Sequence, residues 1–148
     1  TYNLIIGAAD MGTGCDTILA QMVAECMECD ADDVALFGAD TDVSPYDSGS
    51  YASSTTYITG KAVEKACIEL RQKICSIAAD MMNCKEDEVI FDKGCVRRIG
   101  SDAFVTLEDI GTKTQVFNNK SVVATATHSS PVSPPPYMVG MVEIPSIF

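Results

Sequence analysis

The chain has 148 residues, 47% of them apolar, with 21 acidic against 10 basic side chains and a formal net charge of −11. That length favours one domain with a core that buries about 70% of the unfolded surface, and the apolar content excludes a disordered chain. The charge argues against nucleic acid and anionic membranes as partners, and no apolar run approaches the ~20 residues that cross a bilayer. A small anionic ligand stays open, because backbone N–H groups can bind one locally.

The apolar run "YNLIIGAA" begins at once after Thr1 and reads as a buried strand in a piece of a larger protein. "MGTG" is a glycine-flanked turn. From Asp16 the apolar residues Ile18, Leu19, Met22, Val23, Cys26 and Met27 form a double stripe, which predicts a helix over Asp16–Cys29. Asp33–Asp40 reads as a second strand, and Thr41–Gly49 as a loop broken by Pro45 and Gly49. The next helix starts within Ser50–Thr55 and ends near Asn83, on the stripe Val63, Ala66, Cys67, Leu70, Ile74, Ile77, Ala78 and Met81. Gly60 inside it costs about 1 kcal/mol relative to Ala, so something is expected to pack closely there.

Asp87–Gly100 reads as a β-hairpin turning at "DKG". "TLED" (Thr106–Asp109) has the capping-box pattern and opens a short helix to about Val116. The alternation of Ser121–Ser130 predicts a strand. Pro131–Pro136 cannot join a central strand, and Tyr137–Ile144 predicts another strand. The order favours a single α+β domain over residues 1–148: a two-layer sandwich with a mixed sheet and two main helices.

Several motifs invite chemistry and fail on inspection. The seven cysteines, with no export signal evident, read as reduced thiols of a cytoplasmic protein. Cys26 and Cys29 form a C-x-x-C, but no second pair follows, and Cys at the end of a helical stripe serves as a small apolar residue. The acidic loop with Asp40, Asp42, Ser44 and Asp47 departs from a Ca²⁺ loop, with Pro45 at the sixth position and Tyr51 at the twelfth. His128 is the one histidine; no G-x-S-x-G precedes it, and it reads as a surface or strand-end residue.

Two strand–loop–helix junctions remain, at Met11–Asp16 and at Asp47–Thr56. The first is glycine-flanked; the second packs Ser50, Ser53, Ser54, Thr55, Thr56 and Thr59 into ten residues, where one or two hydroxyls suffice for a cap. Each exposes unpaired N–H groups and a positive dipole end. On one edge of a sheet, the two together can grip an acceptor-rich ligand without Lys or Arg. Two well-capped helices account for the same pattern.

"GAADMGTGCDTILAQMVAE" followed by "ADTDVSPYDSGSYASSTTYITGKAVEKAC" resembles the molybdopterin-binding large subunit of the xanthine dehydrogenase and aldehyde oxidase family, in the bacterial branch of purine, nicotinate and 4-hydroxybenzoyl-CoA enzymes. The family pattern is E/D-M/I-G-Q-G-x-x-T, a spacer, a Pro, a Ser/Thr/Ala-rich stretch and a helix. Here the first element is "DMGTGCDT" and the second "SPYDSGSYASSTTYITG". The resemblance implies that Met11, Gly12, Thr13 and Gly14 line the metal and pterin, that Tyr51 and Ala52 pass beside the molybdenum, and that Ser50, Ser53, Ser54, Thr55 and Thr56 bind the pterin and its phosphate.

It further implies a molybdenum–molybdopterin cofactor in the cytosine dinucleotide form. The reaction implied is hydroxylation of a small N-heterocycle or aldehyde with oxygen from water, and electrons leave through [2Fe-2S] clusters to FAD in partner domains or subunits. Two departures stand out: Thr13 replaces the usual Gln, and the catalytic glutamate of a downstream G-x-G-E motif has no counterpart, since Glu143 does not match it. No catalytic residue and no protein metal ligand is assigned. A fragment that is inactive alone is expected; the competing reading is a degenerate, non-catalytic module of the family that serves subunit assembly or protein interaction. The terminal "PSIF" has no counterpart in the family pattern.

Overall fold

The computed structural model describes residues 1–47, 49–50 and 54–129. Strand β1 (Tyr2–Ile6) leads through the glycine turn into helix α1 (Cys15–Met27). A 3-10 turn at Ala31–Asp33 precedes β2 (Val34–Gly38). After the acidic loop, a π-helical turn (Thr55–Thr59) runs directly into helix α2 (Gly60–Met82). A second 3-10 turn, Glu86–Glu88, precedes β3 (Val89–Asp92), β4 (Cys95–Arg98), β5 (Phe104–Thr106) and helix α3 (Leu107–Asn118).

The α+β class is as expected, and strands of both directions occur. Those expected in one mixed sheet are divided between two among the described residues. β1 and β2 pair in parallel from Tyr2↔Val34 to Ile6↔Gly38, while β3, β4 and β5 form an antiparallel meander. The length of α2 explains the division. Its 23 residues span about 35 Å, so one helix packs on α1 and, further along, on all three meander strands. The buried core runs along it: Leu19, Val23 and Met27 of α1 and Ile6 of β1 meet Val63, Cys67, Ile74 and Ala78, which continue to Phe91, Val96 and Val105.

Local sequence accounts for the element ends. Glu28, Asn83 and Asn119 close the three helices in the left-handed conformation; α1 stops two residues short of Cys29 because Glu28 takes that role. The Thr106 hydroxyl accepts from the Asp109 N–H, and the Asp109 carboxylate accepts from the Thr106 N–H, the reciprocal cap the sequence predicts. Lys93 and Gly94 both take positive φ (39° and 81°), as a two-residue hairpin turn requires. Gly60 is buried against α1; a Cβ there would lie 2.9 Å from Met22 Sδ, the close packing expected at that glycine.

The strand expected at Ser121–Ser130 is corrected over residues 121–129, which carry no strand pairing. Val122, Ala124, Ala126 and His128 are half-buried and their neighbours exposed, so the alternation records one face laid on the protein rather than a ladder. Lys73 Nζ donates to the Val123 carbonyl (2.8 Å), and Lys65 Nζ lies 3.1 Å from His128 Nδ1. The strand expected at Tyr137–Ile144 lies outside the described residues. No helix of the described chain is long and apolar enough to cross a membrane.

One guanidinium joins the layers. Arg71 of α2 donates to the Cys26 carbonyl (2.8 Å) and to Glu28 Oε1 (2.9 Å), and its Cζ lies 4.7 Å from the centre of the Phe91 ring. Substituting Arg71→Ala is expected to lower unfolding free energy in urea by about 2 kcal/mol, since it strands a charge and an end carbonyl together.

All seven cysteines are free thiols, with Cys15 and Cys67 buried. Burial pushes the Cys67 thiol up to about 12, with the neighbouring Cys26 adding to the rise. The raised value means that the folded chain keeps the proton while the unfolded chain loses it. The resulting stability is therefore present below the ordinary thiol value of 9.0 and lost as pH rises toward about 12. Resistance to urea is expected to fall across that window, less so in Cys67→Ala, and iodoacetamide is expected to modify Cys67 only after denaturation.

Candidate functional site

Because β1 and β2 are parallel neighbours in register, both leave the sheet at the same edge. The loop after β1 carries residues 7–14 into α1, and the loop after β2 carries residues 39–54 into α2. Ligands of open parallel sheets bind at this carboxyl edge. The two junctions that the sequence singles out are thus brought to one side of one sheet.

The first junction is built on glycine conformations. Gly12 and Gly14 have φ of 96° and 71°, and nothing lies within 4 Å of where their Cβ atoms would be. Asp10 fixes the turn from inside: its Oδ1 accepts from the Gly12 N–H (2.8 Å) and the Gly14 N–H (3.2 Å). These backbone donors, Gly12 first, hold the Asp10 carboxyl below its ordinary range. Met11 and Thr13 are exposed at the tip. Gly14 caps α1 without any side-chain hydrogen bond.

The second junction starts as an acidic loop that folds on itself. Asp40 Oδ1 accepts from the Asp42 N–H (3.0 Å), and the Asp40 carbonyl accepts from the Ser44 N–H (2.7 Å). Those bonds make Asp40 a turn-former. Further on, the Thr55 hydroxyl donates to Ser50 Oγ (2.8 Å), while Thr56 is exposed. The wide π turn at Thr55–Thr59 runs on into α2, with Ser54 before it already in the helical conformation. Tyr51, Ala52 and Ser53 lie outside the described residues.

Chemically the edge offers hydroxyl donors, two glycines that leave open space while Asp10 takes their N–H groups, and, among the described residues, no cation of its own: Lys61, near the start of α2, is paired with Glu64. That donor set suits a ligand rich in acceptor oxygens. It fits a flat, acceptor-rich group such as a pterin, which can close on the open space over Gly12 and Gly14 and accept from the exposed Thr56 hydroxyl.

Other candidates separate from this edge. Asp10, Cys15 and Asp16 bring their ligand atoms within 4.8 Å of one another, but Asp10 is committed to the glycine turn. No third metal-ligating group closes on Cys26 and Cys29 among the described residues. His128 is half-buried rather than a surface residue, with its ring edge-on to Tyr57 at 5.9 Å and Lys65 on Nδ1. Sequence reasoning missed the turn-holding roles of Asp10 and Asp47 and the part played by Gly7, where the loops touch; a glycine directly after a strand and Asx residues two before a glycine were the available signals.

Residues 1–144 match the family model of the molybdopterin cofactor-binding domain. The chain is 34% identical over 146 residues to the protein named "Probable hypoxanthine oxidase XdhD" of Escherichia coli K12, covering 97% of this chain and 15% of that one. It is 37% identical over 95 residues to the xanthine dehydrogenase molybdenum-binding subunit of Escherichia coli O157:H7, covering 64% and 13%. Among solved structures, CO dehydrogenase from Oligotropha carboxidovorans superposes with a TM-score of 0.73 at 26% identity, over 84% of this chain and 16% of that one. Quinoline 2-oxidoreductase from Pseudomonas putida 86 shares the fold at a TM-score of 0.66 and 23% identity. The chain thus spans about a sixth of the length of the relatives it matches. With glycine turn and hydroxyl-rich helix start on one sheet edge and the match running over nearly the whole sequence, this chain belongs to the molybdopterin cofactor-binding domain family, of the xanthine dehydrogenase type.

Proposed function

We propose that the chain is one wall of the molybdenum-cofactor site in a hydroxylase subunit that oxidises an N-heterocycle or aldehyde with water as the oxygen source. The observation that carries this reading is the convergence of the two junctions on the carboxyl edge of the parallel pair. The cofactor, in its cytosine dinucleotide form, would supply the two-electron oxidation when bound, and [2Fe-2S] and FAD partners would carry the electrons away.

What this chain's own residues do is bind and orient. Met11, Gly12, Thr13 and Gly14 present an open backbone with no side chain over the glycines, so a flat ring system can approach closely. The hydroxyls of Ser50, Ser53, Ser54 and Thr56 donate to pterin and phosphate acceptors, beside the backbone of Tyr51 and Ala52, while Thr55 holds Ser50 by donating to its Oγ and the start of α2 adds its dipole. Thr13 keeps a hydroxyl where the family pattern has an amide, so it donates at shorter reach. The general base and the remaining enclosure come from other parts of a cytoplasmic subunit. In such an enclosure the same donors act in a lower dielectric and count for more than at an open edge.

The test uses the full-length subunit carrying Ser54→Ala and Thr56→Ala together. Losing two hydrogen bonds to charged acceptors is expected to weaken cofactor retention by at least about tenfold, with unfolding free energy changed by less than about 1 kcal/mol. Molybdenum by elemental analysis and released pterin by fluorescence give the occupancy. Full occupancy in the double variant would mean that the hydroxyl cluster is only a helix start. A wild-type subunit devoid of pterin would favour the non-catalytic assembly module instead.

A further inference from the structure

Gly7, the first residue after β1, has no room for a side chain. A Cβ there would strike the Pro45 carbonyl oxygen and lie 2.8 Å from Asp47 Cβ and 3.0 Å from the Asp47 nitrogen. The loop after β1 therefore touches the loop after β2 at backbone distance. Asp47, half-buried at that contact, reaches onward in two directions. Its Oδ1 accepts from the Gly49 N–H (2.7 Å), and its Oδ2 accepts from the Thr59 hydroxyl (3.4 Å) in the π turn. A continuous chain of contacts thus runs from the end of β1 through Pro45 and Asp47 to the start of α2. Neither Gly7 nor Asp47 belongs to the donor set described above.

We infer that Gly7 and Asp47 are positioning residues that clamp the hydroxyl-bearing junction onto the glycine-bearing one, so that the hydroxyls and the open glycine face are presented as one preorganised unit. The inference rests on the proposed cofactor reading. Its physical basis is that a loop ordered before binding does not lose that freedom on binding, which favours retention of the ligand without any new contact to it. Asp47 does this by geometry and not by charge, because a carboxylate beside an anionic ligand is unfavourable in itself. An asparagine can reproduce both contacts: its Oδ1 accepts from Gly49, and its amide can donate to the Thr59 oxygen.

The experiment compares Gly7→Ala, Asp47→Ala and Asp47→Asn in the full-length subunit, purified from cells that make the cofactor. Two quantities are read: pterin released per subunit, and hydrogen exchange of peptides covering residues 7–14 and 41–50. Gly7→Ala and Asp47→Ala are expected to lose at least about tenfold in pterin content and to exchange faster in both peptides, with α1 and α2 unchanged. Asp47→Asn is expected to hold pterin and exchange within about twofold of wild type. Wild-type pterin content in Gly7→Ala and Asp47→Ala would overturn the inference, and so would an Asp47→Asn variant that loses as much as Asp47→Ala. Should Gly7→Ala fail to fold, the two Asp47 variants carry the comparison. A wild-type subunit without pterin overturns the cofactor reading itself, a result distinct from wild type and variants that are all loaded.

Discussion

The architecture turns on the Arg71 guanidinium. A helix ends with carbonyls that lack partners and with a partial negative charge, and Arg71 meets both at the end of α1 through the Cys26 carbonyl. Glu28, closing that helix in the left-handed conformation, takes the same guanidinium on one oxygen and the Lys93 N–H of the β3–β4 turn on the other (3.3 Å). Phe91 supplies the ring face beneath. One side chain of α2 thereby fixes the end of α1 and the meander that the long helix also carries. The beginning of α1, about 20 Å away along its 13 residues, inherits its direction from this far anchor. The glycine turn is held in place from both ends, by β1 before it and by Arg71 beyond it.

How much of this was legible depends on whether the cause was local. Both main helices follow from apolar stripes, the cap of α3 from "TLED", and the hairpin from "DKG", because each is decided within a few residues. β5 was missed: three residues, Phe104–Thr106, carry no period of their own and become a strand only by pairing with Cys95–Arg97. The segment 121–129 misled in the opposite way. Alternating burial is shared by a strand and by a chain lying on a helix, and only the partner distinguishes them. Gly60 was legible as an oddity, and Met22 supplies its reason.

The site divides along the same line. Its two junctions could be seen as a glycine turn and an excess of hydroxyls, and the family pattern joined them. Their common edge follows from the parallel register Tyr2↔Val34 to Ile6↔Gly38, which neither strand shows alone. The contact of Gly7 with Pro45 and Asp47 crosses some forty residues of chain and has no signature in either segment. The reach of Asp47 to Thr59 is likewise a product of the folded loop.

The π turn at Thr55–Thr59 sets the angular relation between the donors and the core. A π turn holds one more residue than an α turn, and each residue of an α-helix advances the rotation by about 100°. Ser54 is therefore out of phase with the buried stripe that starts at Gly60 and Val63. Deleting a single residue from this turn would leave every buried contact of α2 in register and swing the Ser54 hydroxyl about a quarter of a turn around the helix axis. The core and the binding edge are thus indexed separately, and the length of one wide turn is the variable that relates them.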